Sequence, residues 1–452
     1  MKTRDDHLFG PGPKRILSLD GGGVRGLISL GILARVEALL RERVPEDQRD
    51  AFRLCDYFDL IGGTSTGALI AVQLALGESV QDITKRYTEL CPEIFGKRRR
   101  FAFFRSLHST SRFDRALNRS FAEIMRKHAS PPDQTLATTL LKTGLAIVAK
   151  RIDSGSVWFQ SNNPNRKFWN PELEPWKAYW EEEKKNRKWV PTPNADYRLL
   201  DVVRASASAP MYFDAMEIKI GPDLTGRFVD GGASPFNDPS SELFLAATLR
   251  SRHQDANDNL SPFGFNWPTG RNELYLLSVG AGEFRVRSER PKRSDIMKVW
   301  RFLSGWAAVE ALLGIIADGQ KNTRVWMQAI SVPPRSSVEI DEQHNVDSKV
   351  GSMPEMRVVD KPLLTYRRAN VKLEADWLEG YGFRVDRHQL AQLRELDCRH
   401  RDVHALLFKL GTETGNRVID NYDFPSAFDL NDWSHPTINL FPNLNQAREL
   451  AT

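Results

Sequence analysis

Three cysteines in 452 residues, Cys55, Cys91 and Cys398, are too few and too widely spaced for a disulfide framework. None stands in a C-x-x-C pair, so they read as free thiols of a reducing compartment and not as zinc ligands. Long apolar runs are absent as well. The longest, residues 68–76 and residues 306–317 with Glu310 inside it, fall short of the roughly 20 residues that cross a bilayer. The first residues, Met1-Lys2-Thr3-Arg4-Asp5-Asp6-His7, carry charge where a secretion signal carries apolar side chains. These absences lead to the expectation of a soluble, cytoplasmic protein. The nine histidines stand outside any motif, and no ligand cluster of the kind calcium or zinc needs is visible. No metal and no cofactor is therefore expected, and there is neither an internal repeat nor a low-complexity tract.

What is present is ordinary in bulk and specific in detail. A hydrophobic content of 41% and a charged content of 27% suit a globular α/β protein with ample core. The net charge of +5 is mild for this length and compatible with an anionic surface as partner. Its densest cationic stretch is Lys97-Arg98-Arg99-Arg100, followed by Phe101, Phe103 and Phe104. Cations beside aromatics suit peripheral contact with lipid headgroups; a solvated loop with inward phenylalanines explains them equally well. Nothing else in the chain resembles a nucleic-acid module, so no nucleic acid is expected.

The most informative stretch is Gly62-Gly63-Thr64-Ser65-Thr66-Gly67. It follows the apolar run Tyr57-Phe58-Asp59-Leu60-Ile61, with Asp59 read as part of that strand, and precedes the helical pattern of residues 68–76. Residues 63–67 match G-x-S-x-G, the nucleophile elbow, in the strand–turn–helix setting that it requires. The spacing has a steric cause. A serine on a sharp turn needs neighbours without side chains, because strand and helix backbones pass close there. Its hydroxyl then stands at a helix N-terminus, where amides favour developing negative charge.

Upstream, Arg15-Ile16-Leu17-Ser18-Leu19 reads as a buried strand ending at Asp20, followed by Gly21-Gly22-Gly23-Val24-Arg25-Gly26 and a helix over residues 27–43. Three readings of the glycine loop stay open: an oxyanion hole made of unobstructed amides, the G-x-G-x-x-G dinucleotide fingerprint, or a plain tight turn. The dinucleotide reading expects an acidic residue closing the next strand, which instead runs into the serine turn. The oxyanion reading is preferred for that reason.

Further on, helices are expected over residues 81–90 and within residues 113–128, and strands over residues 145–152 and 157–160. Residues 162–194, with Trp169, Trp176, Trp180 and Trp189 among Pro, Asn and charged residues, read as an insertion packed on the body by its tryptophans, near where a lid would lie. A helix over residues 198–208 carries the small-residue run Ala205-Ser206-Ala207-Ser208-Ala209, assigned to packing, and a strand is expected over residues 211–218. In Arg227-Phe228-Val229-Asp230-Gly231-Gly232, Asp230 closes a strand and would point into the crevice where open sheets bind ligands; an Asx turn without chemistry is the alternative. Beyond residue 290, helices are expected over residues 294–318 and 387–410, and strands over residues 356–359 and 363–373. The alternation implies a mostly parallel open sheet flanked by helices, with a catalytic region over residues 14–285 and a C-terminal α+β extension over residues 290–452.

Taken together, the glycine loop from Asp20 to Gly26, the Ser65 elbow and Asp230-Gly231-Gly232 resemble the patatin-like phospholipases, and residues 205–210 look like a further block of that family. The resemblance implies a three-layer fold and a lipid acyl hydrolase acting on phospholipid through a Ser65–Asp230 dyad and an acyl-enzyme. It implies an oxyanion hole built from residues 21–26, with the amides of Gly22 and Gly23, joined by Gly21 or Thr66, as donors and Arg25 as buttress or source of positive potential. A triad would instead need a histidine after Asp230, such as His253, His344 or His388. Some bacterial relatives are phospholipases switched on by a second messenger, so a small-molecule activator, or self-association, is a further expectation for the C-terminal part.

Overall fold

The computed structural model describes residues 2–95, 106–174, 176–186, 190–250, 261–285, 306–334, 358–430 and 433. The basic and aromatic stretch from Lys97 to Phe104 lies outside them, as do Trp189, His253, His344 and residues 294–305, where part of a helix is expected.

Its centre, among the described residues, is a nine-stranded sheet. The strands are β1 (Lys14–Leu19), β2 (Leu60–Thr64), β3 (Gly144–Arg151), β4 (Val157–Ser161), β5 (Met216–Gly221), β6 (Leu224–Asp230), β7 (Leu274–Val279), β8 (Ser331–Val332) and β9 (Leu364–Ala369). They lie in the order β5-β6-β3-β2-β1-β7-β9-β8, with β4 pairing β3. The pairs from β3 through β8 along that order are parallel, while β4, β5 and β6 join antiparallel.

Side-chain alternation along buried strands builds the layers. Leu17, Leu19, Ile61, Tyr275 and Leu277 enter one core; Ile16, Leu60, Leu274 and Leu276 enter the other. Helices Gly26–Arg43, Thr66–Ala75 and Arg401–Val418 feed the first core. Helices Ser240–Thr248 and Trp306–Ala329 cover the second. The result is an open three-layer sandwich: the sheet wrapped by helices that the sequence pattern implies, in the layering that the family resemblance implies.

The sheet takes strands from both the region before residue 285 and the C-terminal part, because β9 pairs with β7, and helix Arg401–Val418 packs along helix Gly26–Arg43. Several local expectations need correction. Asp59 precedes β2; its carboxylate turns back to accept the Arg15 amide. Residues 211–215 are a turn, closed by the Tyr212 and Phe213 amides on the Ala209 carbonyl, and the strand begins only at Met216. The helix expected to end at Asp318 continues to Ala329. The helix expected over residues 387–410 is two, Arg387–Arg394 and Arg401–Val418, because residues 395–400 leave the helix to meet the glycine loop. Of the strand expected over residues 356–359, Met356 and Arg357 lie outside the described residues, and Val358 and Val359 form a bend.

Candidate active site

The registers on β3 create the site. β4 occupies one flank of β3, opposite Ala146 to Lys150. On the other flank, β2 pairs in parallel up to Thr64 opposite Val148, and β6 arrives antiparallel with Asp230 opposite Ala149. Two strands therefore meet head-on in one lane, their ends one register position apart. The residue after β2 is Ser65, and the residue ending β6 is Asp230. Sequence alternation says nothing of strand direction, so the antiparallel approach of β6 was not legible there.

Ser65 has φ +55° and ψ −122°, a backbone conformation that a side chain tolerates only when its surroundings enforce it. Its neighbours do so. A Cβ on Gly63 would lie 2.3 Å from the Gly67 carbonyl carbon, and one on Gly67 would lie 2.3 Å from the Leu19 oxygen. The Ser65 amide donates to Ser206 Oγ at 2.8 Å, and Ser206 Oγ donates in turn to the Val148 carbonyl at 2.6 Å. Ser206, read from the sequence as a packing residue, is thus a prop of the elbow. Thr64 Oγ1 ties the same turn to the Phe236 carbonyl at 2.7 Å.

Ser65 Oγ donates to Asp230 Oδ2 at 2.5 Å, and the Gly232 amide donates to Asp230 Oδ1 at 2.7 Å. Asp230 is 5% exposed, and burial pushes its pKa up to about 6 against the two hydrogen bonds that favour the carboxylate. No histidine lines the pocket among the described residues, and His388 is exposed on helix Arg387–Arg394.

The residues of the glycine loop differ in what their amides do. Gly21 donates to the Asn237 carbonyl at 3.0 Å and Gly22 to Thr66 Oγ1 at 3.0 Å. The amides of Gly23 and Thr66 have no acceptor among the described residues, and both residues line the pocket with Ser65. Gly23 has φ +57°, which aligns its peptide away from the regular strand path. Arg25 points backwards: its guanidinium reaches the Gly22 and Gly282 carbonyls and the Phe284 ring, so it buttresses the loop. Gly26 opens helix Gly26–Arg43 beneath the Tyr87 hydroxyl.

In front of Ser65 lies an apolar pocket walled by Leu69, Leu90, Ile94, Phe113, Phe213 and their apolar neighbours. A hydroxyl beside a dehydrated carboxylate, with two free amides and an apolar chamber, suits attack on a carbonyl attached to a hydrocarbon chain. No described residue of the tryptophan-rich insertion lines it. Trp169 and Trp180 are buried, and the Trp176 and Trp180 indole nitrogens donate to carbonyls of the insertion itself. Among the described residues no group of His, Cys, Asp or Glu side chains could hold a metal, and no helix is long and apolar enough to cross a membrane.

The chain is 28% identical over 226 residues to a cGAMP-activated phospholipase of Vibrio cholerae serotype O1, covering 50% of this chain and 55% of that one. It is 29% identical over 301 residues to a cUMP-AMP-activated phospholipase of Escherichia coli, covering 66% and 72% respectively. Patatin-2-Kuras 1 of Solanum tuberosum is 24% identical over 278 residues, covering 59% and 62%. The chain thus spans between 55% and 72% of the length of these relatives. The family model described as patatin-like phospholipase matches residues 17–242, from β1 through the glycine loop, the Ser65 elbow and Asp230 into helix Ser240–Thr248, and the chain belongs to that family.

Proposed function

We propose that this protein is a lipid acyl hydrolase that cleaves fatty-acyl esters of phospholipids through Ser65 and Asp230. The observation that carries the reading is the 2.5 Å hydrogen bond from Ser65 Oγ to a buried carboxylate at the wall of an apolar pocket. Ser65 Oγ attacks the ester carbonyl carbon while its proton passes to Asp230 Oδ2. The resulting oxyanion takes hydrogen bonds from the Gly23 and Thr66 amides, reinforced by the N-terminus of helix Thr66–Ala75. Collapse breaks the bond to the leaving alkoxide, which recovers the proton from Asp230. Water then attacks the acyl-enzyme, gives a proton through Asp230 back to Ser65, and releases the fatty acid. An aspartate in water is a weak base for a serine hydroxyl; the dry pocket that lifts Asp230 to about 6 narrows that gap. On this reading the enzyme works at a membrane surface that it reaches from the cytoplasm.

Mass spectrometry after treatment with a fluorophosphonate probe tests the assignment: label is expected on Ser65. Ser65→Ala and Asp230→Asn should each lower fatty-acid release from phosphatidylcholine vesicles by roughly 10³-fold or more with the circular-dichroism spectrum unchanged. Wild-type turnover in either variant would overturn the dyad.

A second reading, an effector phospholipase dormant until a nucleotide second messenger binds, is favoured by the names of the Vibrio cholerae and Escherichia coli relatives. Full fatty-acid release by the purified protein without any added nucleotide would reject it. The dinucleotide-binding reading has little support: β2 ends at Thr64 before Ser65, with no acidic residue there to hold a ribose.

A further inference from the structure

The glycine loop and the Asp-Gly-Gly turn are remote in sequence, yet one side chain joins them from behind. Arg368, on β9, is fully buried. Its Nη2 donates to Asp20 Oδ2 at 2.7 Å, and its Nη1 donates to Asp238 Oδ2 at 2.8 Å, to Ser278 Oγ at 2.6 Å and to Asp20 Oδ1 at 3.2 Å. Asp20 is the residue immediately before Gly21. Asp238 immediately follows Asn237, whose carbonyl accepts the Gly21 amide and whose Nδ2 donates to the Gly21 carbonyl, each at 3.0 Å. Asn237 Oδ1 also lies against Gly232, whose amide holds Asp230. A second support comes from helix Trp306–Ala329, where Gln320 Nε2 donates to Asp20 Oδ2 at 2.8 Å. Both Arg368 and Gln320 lie beyond residues 17–242, and neither lines the pocket.

We propose that Arg368 is a positioning residue, fixing the glycine loop against the turn that carries Asp230 so that the Gly23 amide and Ser65 Oγ keep the separation an oxyanion needs. The proposal rests on the acyl-hydrolase reading of the site. Its physical basis is the planar guanidinium fork, which serves two carboxylates in fixed directions; a lysine ammonium keeps the charge but is a point donor without that fork. Without a cation, Asp20 and Asp238 would be two buried carboxylates facing each other across a dry space. A shift of about 1 Å in the donor loop is enough to lower turnover by roughly 100-fold. The Cys91 thiol in the pocket wall and the buried His108–Asp397 pair carry no comparable link to the reacting groups.

The test uses the full chain and four readouts: kcat and KM on phosphatidylcholine vesicles, the rate of fluorophosphonate labelling at Ser65, and the melting temperature. In Arg368→Lys, kcat and labelling rate should fall together by about 10- to 100-fold, with KM within about twofold of wild type, at a temperature where the protein is fully folded. Gln320→Leu should lower both rates about threefold or more by the same route. Arg368→Met is the harsher variant; where it does not fold, Arg368→Lys decides. An Arg368→Lys protein with kcat and labelling within about twofold of wild type overturns the proposal. So does a loss of rate that merely follows the unfolded fraction. Wild-type protein that labels at Ser65 but releases no fatty acid overturns the lipid reading alone, since the labelling rates still report on Arg368. A wild-type Ser65 that takes no label overturns both.

Discussion

Asp59 stands at the start of β2, and Asp230 lies just past its end; both carboxylates are buried, and their company differs in one respect. Asp59 accepts from His7 Nδ1 at 2.8 Å, from Arg15 Nε at 2.8 Å and Nη2 at 3.1 Å, and from the Arg15 amide. Asp230 accepts only from a serine hydroxyl and a glycine amide, and no cation pairs with it among the described residues. Burial would raise both. At Asp59 the guanidinium and the imidazole hydrogen bond override burial and hold the carboxyl below its ordinary value; at Asp230 burial wins and the value rises to about 6. One end of the strand is thus organised for stability, and the other holds a carboxylate that gains by taking a proton. The same residue type serves both ends because its surroundings, not its identity, set the role.

The largest effect that would test this contrast is on folding. Asp59→Asn leaves the Arg15 guanidinium buried without its carboxylate, and should cost about 3–5 kcal/mol in denaturant unfolding. A loss of under about 1 kcal/mol would mean that the pairing is not what holds this end together. Next comes the pH dependence of turnover. With Asp230 as the base, kcat should fall about tenfold per pH unit below about 6, and this limb should persist in a His388→Ala variant. The two carboxylates should also act on stability with opposite sign. Asp59, held low, contributes stability above its ordinary value that is lost as pH falls through its folded-state value. Asp230, held high, makes the fold relatively more stable as pH falls from about 6 toward the ordinary carboxylate value. The smallest effect follows from that sign. Asp230→Asn removes a buried uncompensated charge at neutral pH and should raise unfolding free energy by about 1–3 kcal/mol while activity is lost. A destabilised Asp230→Asn would sink the picture of Asp230 as a strained group.

The residues proposed to carry the chemistry were readable because their constraints are local. Gly63, Ser65 and Gly67 must be what they are for a strand and a helix to touch, and that requirement fits within five residues. Asp230 was readable from its place at a strand end, though the direction of that strand was not, since alternation is the same in parallel and antiparallel pairing. The supports were not readable for the opposite reason. Arg368 is one more arginine in a strand, and its partner Asp20 is 348 residues away. Ser206 looks like a small packing residue until β3 brings the Val148 carbonyl beneath it. The turn at residues 211–215 has the apolar content of a strand, but Tyr212 and Phe213 are drawn into the pocket wall. Local sterics write themselves into sequence as glycine and serine, whereas long-range hydrogen bonds leave no periodic trace.

The end-to-end meeting of β2 and β6 beside β3 has a consequence for how such a chain can change. The gap between the Ser65 hydroxyl and the Asp230 carboxylate is measured out by a third strand, much as a ruler sets a distance without touching either object. The connections between β2, β3 and β6 can therefore lengthen, shorten or gain a tryptophan-studded excursion with no change in that gap. A slip of either strand along β3, by one residue or about 3.3 Å, would pull the pair apart.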